Sequence, residues 1–116
     1  MSKKVIAVDI GASSGKMAFG EFDGSQLLIR EYRDFVNRPV EIGTALYWDV
    51  FSLHNAIIDG MAYFKEKYGE ADTVAIDTWG ASYGLLDKKG RLMEPVYHYR
   101  DERTRTTIQD MNDVMD

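Results

Sequence analysis

Val5-Ile6-Ala7-Val8-Asp9-Ile10-Gly11-Ala12-Ser13-Ser14-Gly15-Lys16-Met17-Ala18-Phe19 is the stretch that decides the fold. An apolar run ends at one acid, Asp9, and a turn of small residues closed by Lys16 leads into a second apolar run. The branched residues of the first run favour a buried, pleated strand. Gly11 and Gly15 bracket Ala12, Ser13 and Ser14, so no side chain between them exceeds a hydroxymethyl group. Main-chain N–H groups can therefore approach a phosphate, the two serines can add donors, and Lys16 can supply a point charge. A carboxylate beside such a turn repels the anion unless a cation stands between them. Asp9 is thus a candidate for holding Mg²⁺ through water, because that ion binds through few carboxylates and keeps much of its hydration.

A Walker A loop needs four residues between its glycines, Ser or Thr after Lys, and a helix to follow. Here three residues separate Gly11 from Gly15, and Met17 follows Lys16. Met17 to Phe22 leads to a turn at Asp23-Gly24-Ser25 and a further strand-like run, so the spacing predicts strand–turn–strand. An ordinary β-hairpin with a polar turn reads the same residues without a ligand.

At 116 residues the chain is long enough for one domain and too short for two. Apolar residues at 45% and charged ones at 28% are ordinary for a soluble globular protein. A net charge of −5 gives non-specific nucleic-acid binding no electrostatic support. The absence of Cys rules out disulfides and thiolate metal sites and fits a reducing cytoplasm. Met1-Ser2-Lys3-Lys4 precedes too few apolar residues for a signal-peptide core or a membrane span. Met111 to Asp116 carries no helix stop signal, which reads as a fragment of a longer protein.

Taken in order, strands are predicted over Lys4–Ile10, Lys16–Phe22 and Gln26–Phe35, an antiparallel meander broken at Asn37-Arg38-Pro39. Thr44 to Trp48 is extended or loop. Asp49 or Ser52 caps a helix over Val50–Tyr68, whose apolar face is Leu53, Ala56, Ile57, Gly60, Met61 and Phe64, and Gly69 ends it. Thr73–Ile76 is a short buried strand, and its place after a long helix predicts a crossover that lays it parallel to strand one. Ser82–Leu86 and Arg91–Met93 flank a hairpin turn at Asp87-Lys88-Lys89-Gly90. A terminal helix is predicted from about Asp101. The result is a mixed α/β sheet with helices.

Two acids, Asp9 and Asp77, then close parallel strands at one carboxyl edge, the usual place for a ligand crevice in an open α/β sheet. Thr78-Trp79-Gly80 follows, where Gly80 lets a ligand touch main chain and Trp79 either walls a pocket or packs as a core aromatic.

With Asp9 to Lys16 and Asp77 to Gly80 both placed, the chain resembles the start of an FGGY-type carbohydrate kinase, and within that family the rhamnulokinase branch. Tyr47-Trp48-Asp49 and Tyr99-Arg100-Asp101-Glu102-Arg103-Thr104 resemble segments of the same branch, in the same order and with similar spacing. The resemblance runs from residue 5 to the end. It implies the front part of the first of two ribonuclease H-like domains, of the actin-like ATPase and sugar kinase superfamily. It implies that Gly11, Ala12, Ser13, Ser14, Gly15 and Lys16 contact ATP phosphates, that Asp9 associates with Mg²⁺, and that Trp79, Gly80, Arg100 and Asp101 border the sugar. The implied reaction moves the γ-phosphoryl of ATP to the 1-hydroxyl of L-rhamnulose. The family's general base and adenosine-binding domain lie beyond residue 116, so no catalytic residue is assigned in this chain. By this reading the fragment alone is inactive and works with the remainder of the kinase chain, and its unpaired sheet edge allows self-association.

Two departures stand out. Lys16 replaces the family's usual Arg, keeping the charge and losing bidentate geometry, and Ser82 stands where an acid is usual two positions after the motif's glycine. Other readings are a kinase for xylulose, fuculose or ribulose, or a non-catalytic actin-like nucleotide-binding module. The terminal arginines Arg100, Arg103 and Arg105, interleaved with Asp101, Glu102 and Asp110, read as a solvated ion-pair face rather than a phosphate clamp. His54 and His98 lack the spacing of metal ligands.

Overall fold

A computed structural model describes residues 2–115. In chain order it contains β1 (Lys3–Ile10), β2 (Ser14–Phe22), β3 (Leu27–Val36), β4 (Val40–Ile42), β5 (Ala45–Tyr47), α1 (Val50–Tyr68), β6 (Thr73–Thr78), a 3₁₀ turn (Glu102–Thr104) and α2 (Thr107–Met115). These elements fall into two compact units, residues 2–38 with 50–80 and residues 39–49 with 81–115.

The first unit is a four-stranded sheet in the order β3-β2-β1-β6. β1 runs antiparallel to β2, with Asp9 opposite Lys16, and parallel to β6, with Asp9 opposite Asp77. The meander, the crossover and the parallel fourth strand are as the sequence predicts, but β6 runs to Thr78 and, as an edge strand, has every residue exposed where a buried strand was expected. Alternation along β1 buries Ile6, Val8 and Ile10 on one face, where Met17 and Phe19 of β2 join them. α1 covers that face with the stripe Leu53, Gly60 and Phe64. Phe19 and Phe64 are both fully buried, each worth about 1.5–3 kcal/mol of apolar transfer. Tyr68 stacks on Phe19 at 4.6 Å between ring centroids.

The end of α1 is fixed from two sides. Gly69 takes φ +87°, and its N–H donates to Lys65 O at 2.9 Å, the left-handed stop that the sequence marks. Lys4 Nζ donates to Tyr68 O at 2.8 Å and so binds the last turn to β1. Across the sheet, the Glu31 carboxylate accepts from Tyr63 Oη at 2.6 Å, Lys67 Nζ at 2.9 Å and Tyr68 Oη at 2.9 Å. These donors, the Tyr63 hydroxyl first, pull the Glu31 pKa down from 4.5 to about 2.

In the second unit β4 and β5 pair through Gly43-Thr44, with Gly43 at φ +62°. This hairpin is absent from the sequence reading, which left Thr44–Trp48 as extended or loop. Tyr97 bridges Tyr47, and Trp48 N–H donates to Val96 O at 2.8 Å, so the Tyr97–Tyr99 run lies beside β5. His98 is buried and stacks on Trp48 at 3.9 Å. Asp87 forms the expected turn, accepting Lys89 N–H at 2.8 Å and Arg91 N–H at 2.9 Å, but its flanks join only through the single bridge Leu86–Leu92 and form no strands.

The terminal helix is also corrected. It begins at Thr107 instead of Asp101, because the Asp101 carboxylate accepts the Arg103 N–H at 2.9 Å and caps a separate 3₁₀ turn. Its other oxygen accepts the Leu46 N–H at 2.7 Å. The Leu46 bond, then that from Arg103, holds this carboxyl below the usual carboxylate range.

Two outcomes follow for the first unit. A Cβ at Gly60 would overlap the Met17 sulfur, so Gly60→Val lowers stability by about 1–3 kcal/mol, read as a drop in the denaturation midpoint. Glu31 is depressed in the folded state, so its contribution is present above about pH 4.5 and is lost as pH falls toward 2. Melts from pH 6 to 3 will show a steeper loss in the wild type than in Glu31→Gln, and parallel curves would refute this assignment.

Candidate functional site

Residues 11–13 connect β1 directly to β2, so the small-residue turn sits between two hydrogen-bonded strands, as the spacing predicts, and Ser14 already belongs to β2. Gly11 N–H donates to Ser14 O at 2.8 Å and closes the turn. Ala12, Ser13 and Ser14 are exposed, and among the described residues the N–H groups of Ala12 and Ser13 take part in no hydrogen bond. Gly15 is buried beneath the Phe35 ring, which a Cβ there would overlap. The glycine is therefore required by packing at the base of the turn as well as by any ligand at its tip. Asn37, not singled out by the sequence reading except as part of a break, donates its backbone N–H to Ser13 O at 3.1 Å and Nδ2–H to Gly11 O at 2.8 Å.

The sheet face opposite α1 carries a row in register across all four strands: Asp34, Lys16, Asp9 and Asp77. One step below lie Tyr32, Ala18, Ala7 and Ala75. Asp9, Lys16 and Asp77 line one open groove of about 410 Å³ above these small residues. Lys16 Nζ is 3.8 Å from Asp34 Oδ1 and 5.2 Å from the centre of the Tyr32 ring. That ion pair is exposed on both sides and contributes at most about 1 kcal/mol, so an anion can compete for the ammonium.

Asp9 and Asp77 are exposed carboxylates on neighbouring parallel strands. Among the described residues no three His, Cys, Asp or Glu side chains gather to hold an ion. Two carboxylates at most suit Mg²⁺, which needs few protein oxygens and retains its waters.

Trp79 and Gly80 follow β6 at the same sheet edge as the turn, since Ile10 pairs with Thr78 and Thr78 Oγ1–H donates to Ile10 O at 3.3 Å. Trp79 is partly buried against the core cluster, which favours its packing role. A Cβ on Gly80 would meet no atom within 4 Å, so nothing inside the chain demands a glycine there. Ala81 next to it takes φ +64°, a conformation costing a non-glycine residue about 1–2 kcal/mol. Arg100 and Asp101 belong to the second unit, where Arg100 is exposed with its guanidinium 5.4 Å from the Tyr99 ring centre and Asp101 is buried. Ser82 Oγ accepts Trp48 Nε1–H at 2.9 Å in that same unit.

No family model matches the chain. It is 38% identical over 104 residues to a rhamnulokinase of Bacteroides thetaiotaomicron, covering 90% of this chain and 21% of that protein. It is 37% identical over 109 residues to a rhamnulokinase of Bacillus subtilis, covering 94% of this chain and 22% of that protein. The chain therefore spans about a fifth of the length of the curated relatives it matches. In fold it is similar to the ligand-bound xylulose kinase of Lactobacillus acidophilus, with a TM-score of 0.77 at 14% identity over 96% of this chain and 22% of that one. The resemblance carried by the motifs is thus matched along nearly the whole chain, which is similar in sequence to rhamnulokinases and shares its fold with sugar kinases of the actin-like ATPase fold.

Proposed function

We propose that this chain is the front part of the first domain of an ATP-dependent sugar kinase, and that the sugar is L-rhamnulose. The single observation that carries the reading is the turn between β1 and β2. It offers unbonded main-chain N–H groups beside Asp9, with Asp77 opposite on a parallel strand. Such a turn suits the β- and γ-phosphates of a nucleotide, with Ser13 and Ser14 adding hydroxyl donors and Lys16 adding charge. Asp9, with Asp77 beside it, would hold Mg²⁺ through water, and the ion would supply charge neutralisation along the phosphates. Gly80 would lie against the sugar with Trp79 behind it; in the second unit, Arg100 and Asp101 are separate candidates for sugar contact. The acceptor is the primary 1-hydroxyl and the product L-rhamnulose 1-phosphate. No aspartate of this chain is assigned as general base. Among the described residues no helix is long and apolar enough to cross a membrane, and a cytoplasmic place suits a kinase that draws on ATP.

A second reading, another ketose such as xylulose, fuculose or ribulose, is favoured by Ser82. Its hydroxyl is engaged by Trp48 and supplies no negative charge to a sugar hydroxyl. A site built around a charged acceptor discriminates hydroxyl stereochemistry more sharply than one without it.

Full-length protein carrying this chain will release ADP with L-rhamnulose and Mg²⁺ at a kcat/KM at least about tenfold above the other three ketoses, a gap of about 1.4 kcal/mol. A higher value with one of the others selects the second reading, and silence with all four ends both. Because space around Gly80 is open within the chain, Gly80→Ala leaves the melting temperature unchanged and raises the KM for the ketose tenfold to a hundredfold, equivalent to about 1–3 kcal/mol of steric cost at the sugar. An unchanged KM would remove Gly80 from the sugar site.

A further inference from the structure

The exposed turn has unbonded N–H groups while its carbonyl groups are engaged. Three carbonyls of the turn are occupied from within the sheet: Ser14 O by Gly11 N–H, Ser13 O by the Asn37 backbone N–H, and Gly11 O by Asn37 Nδ2–H. Two of these three bonds come from one residue. Asn37 follows the last residue of β3, where Val36 pairs with Ser14, and only 3% of it is exposed. Its other side-chain polar atom, Oδ1, is buried with no hydrogen-bond partner. Burying an acceptor in that way offsets part of what the two donated bonds contribute to stability.

We propose that Asn37 is the positioning residue of the phosphate turn. By drawing the Gly11 carbonyl inward it turns the Ala12 N–H, which shares that peptide plane, away from the bond and toward an anion, and by holding Ser13 O it fixes the peptide between Ser13 and Ser14 and keeps both carbonyl oxygens away from the anion. This inference rests on the phosphate-binding reading given above. The electrostatics are simple. A peptide carbonyl turned toward a phosphate repels it, an N–H attracts it, and a turn free to rotate its peptide planes presents both. Fixing the planes before the nucleotide arrives removes a reorganisation cost from binding. The side chain must donate, reach Gly11 O from the end of β3 and remain short, which Asn satisfies. Asp has the same shape but donates only when protonated.

The test uses full-length protein carrying this chain, with wild type, Asn37→Ala and Asn37→Asp assayed while ATP and ketose are varied separately. Asn37→Ala raises the KM for ATP at least about tenfold and leaves the KM for the ketose within about twofold. Asn37→Asp is the sharper probe, because burial raises its carboxyl pKa toward neutrality and its protonated form restores the donor to Gly11 O. Its KM for ATP therefore stays near the wild-type value at pH 5.5 and climbs at least about tenfold by pH 8, measured against wild type at each pH. Amide exchange read on the same proteins gives faster exchange at Gly11 in Asn37→Ala, with Ile6 and Val8 unchanged. Equal rises in both KM values, a pH-independent Asn37→Asp, or unchanged exchange at Gly11 would overturn the proposal. If wild type phosphorylates no ketose, the kinase reading fails, and the exchange at Gly11 still decides whether Asn37 holds the turn.

Discussion

The contact of α1 with β2 governs the geometry of the first unit. Gly60 has no side chain, so the helix can approach until Met17 lies against its backbone, and Phe64 then seats beside Phe19. That seating fixes which face of the meander is inside. It also fixes where α1 ends, because Tyr68 stacks on Phe19 and its carbonyl is tied to Lys4 on β1. From Gly69 the chain has only a few residues before Thr73, and Asp72 N–H donates to Lys4 O at 2.8 Å, so β6 starts beside the beginning of β1. Parallel pairing follows, and with it the shared edge at which the turn and Trp79-Gly80 emerge.

The face opposite α1 has a different chemistry for the same structural reason. Strand alternation sends every second residue there, and those residues are small or charged: Ala7, Ala18 and Ala75 below, Asp9, Lys16 and Asp77 above. Two carboxylates on adjacent strands repel, and one ammonium already shared with Asp34 offsets them weakly. The groove is therefore short of positive charge, which is the condition under which a hydrated divalent cation gains most from binding. The exposed turn amides are the complementary half, since they welcome the anion that such a cation would accompany.

β1, β2, α1 and β6 were legible in the sequence because each has a strong local pattern. The Val-Ile run, the glycine-bounded turn, the helical stripe from Leu53 to Phe64 and the run ending at Asp77 all declare themselves within a few residues. β4 and β5 did not, since three residues each give too little alternation to register, although Gly43-Thr44 between Val40-Glu41-Ile42 and Ala45-Leu46-Tyr47 was a usable hairpin signal. The late start of α2 was hidden because Asp101 is an acceptable N-cap on composition alone. Only its bond to Leu46, fifty-five positions away, shows that it caps something else. Asn37 was invisible for the same reason. Its value lies in Gly11 and Ser13, which are distant in sequence, and two positions before Pro39 it reads as part of a strand break.

Asp101 shows how a structural duty can obscure a ligand role. A carboxylate offers about four lone-pair sites, and here two main-chain amides use one oxygen each, Leu46 from β5 and Arg103 from the 3₁₀ turn. Removing the carboxylate strands both amides and loosens the segment that carries Tyr99 and Arg100. A substitution at Asp101 therefore disturbs that segment whether or not the side chain touches a ligand. Arg100 has no such double duty. Its side chain is exposed, with the guanidinium 5.4 Å from the Tyr99 ring centre, so its removal leaves the 3₁₀ turn capped and the β5 bond intact. Of the two residues, Arg100 is the one whose loss reports on a ligand, and Asp101 the one that makes such a report readable.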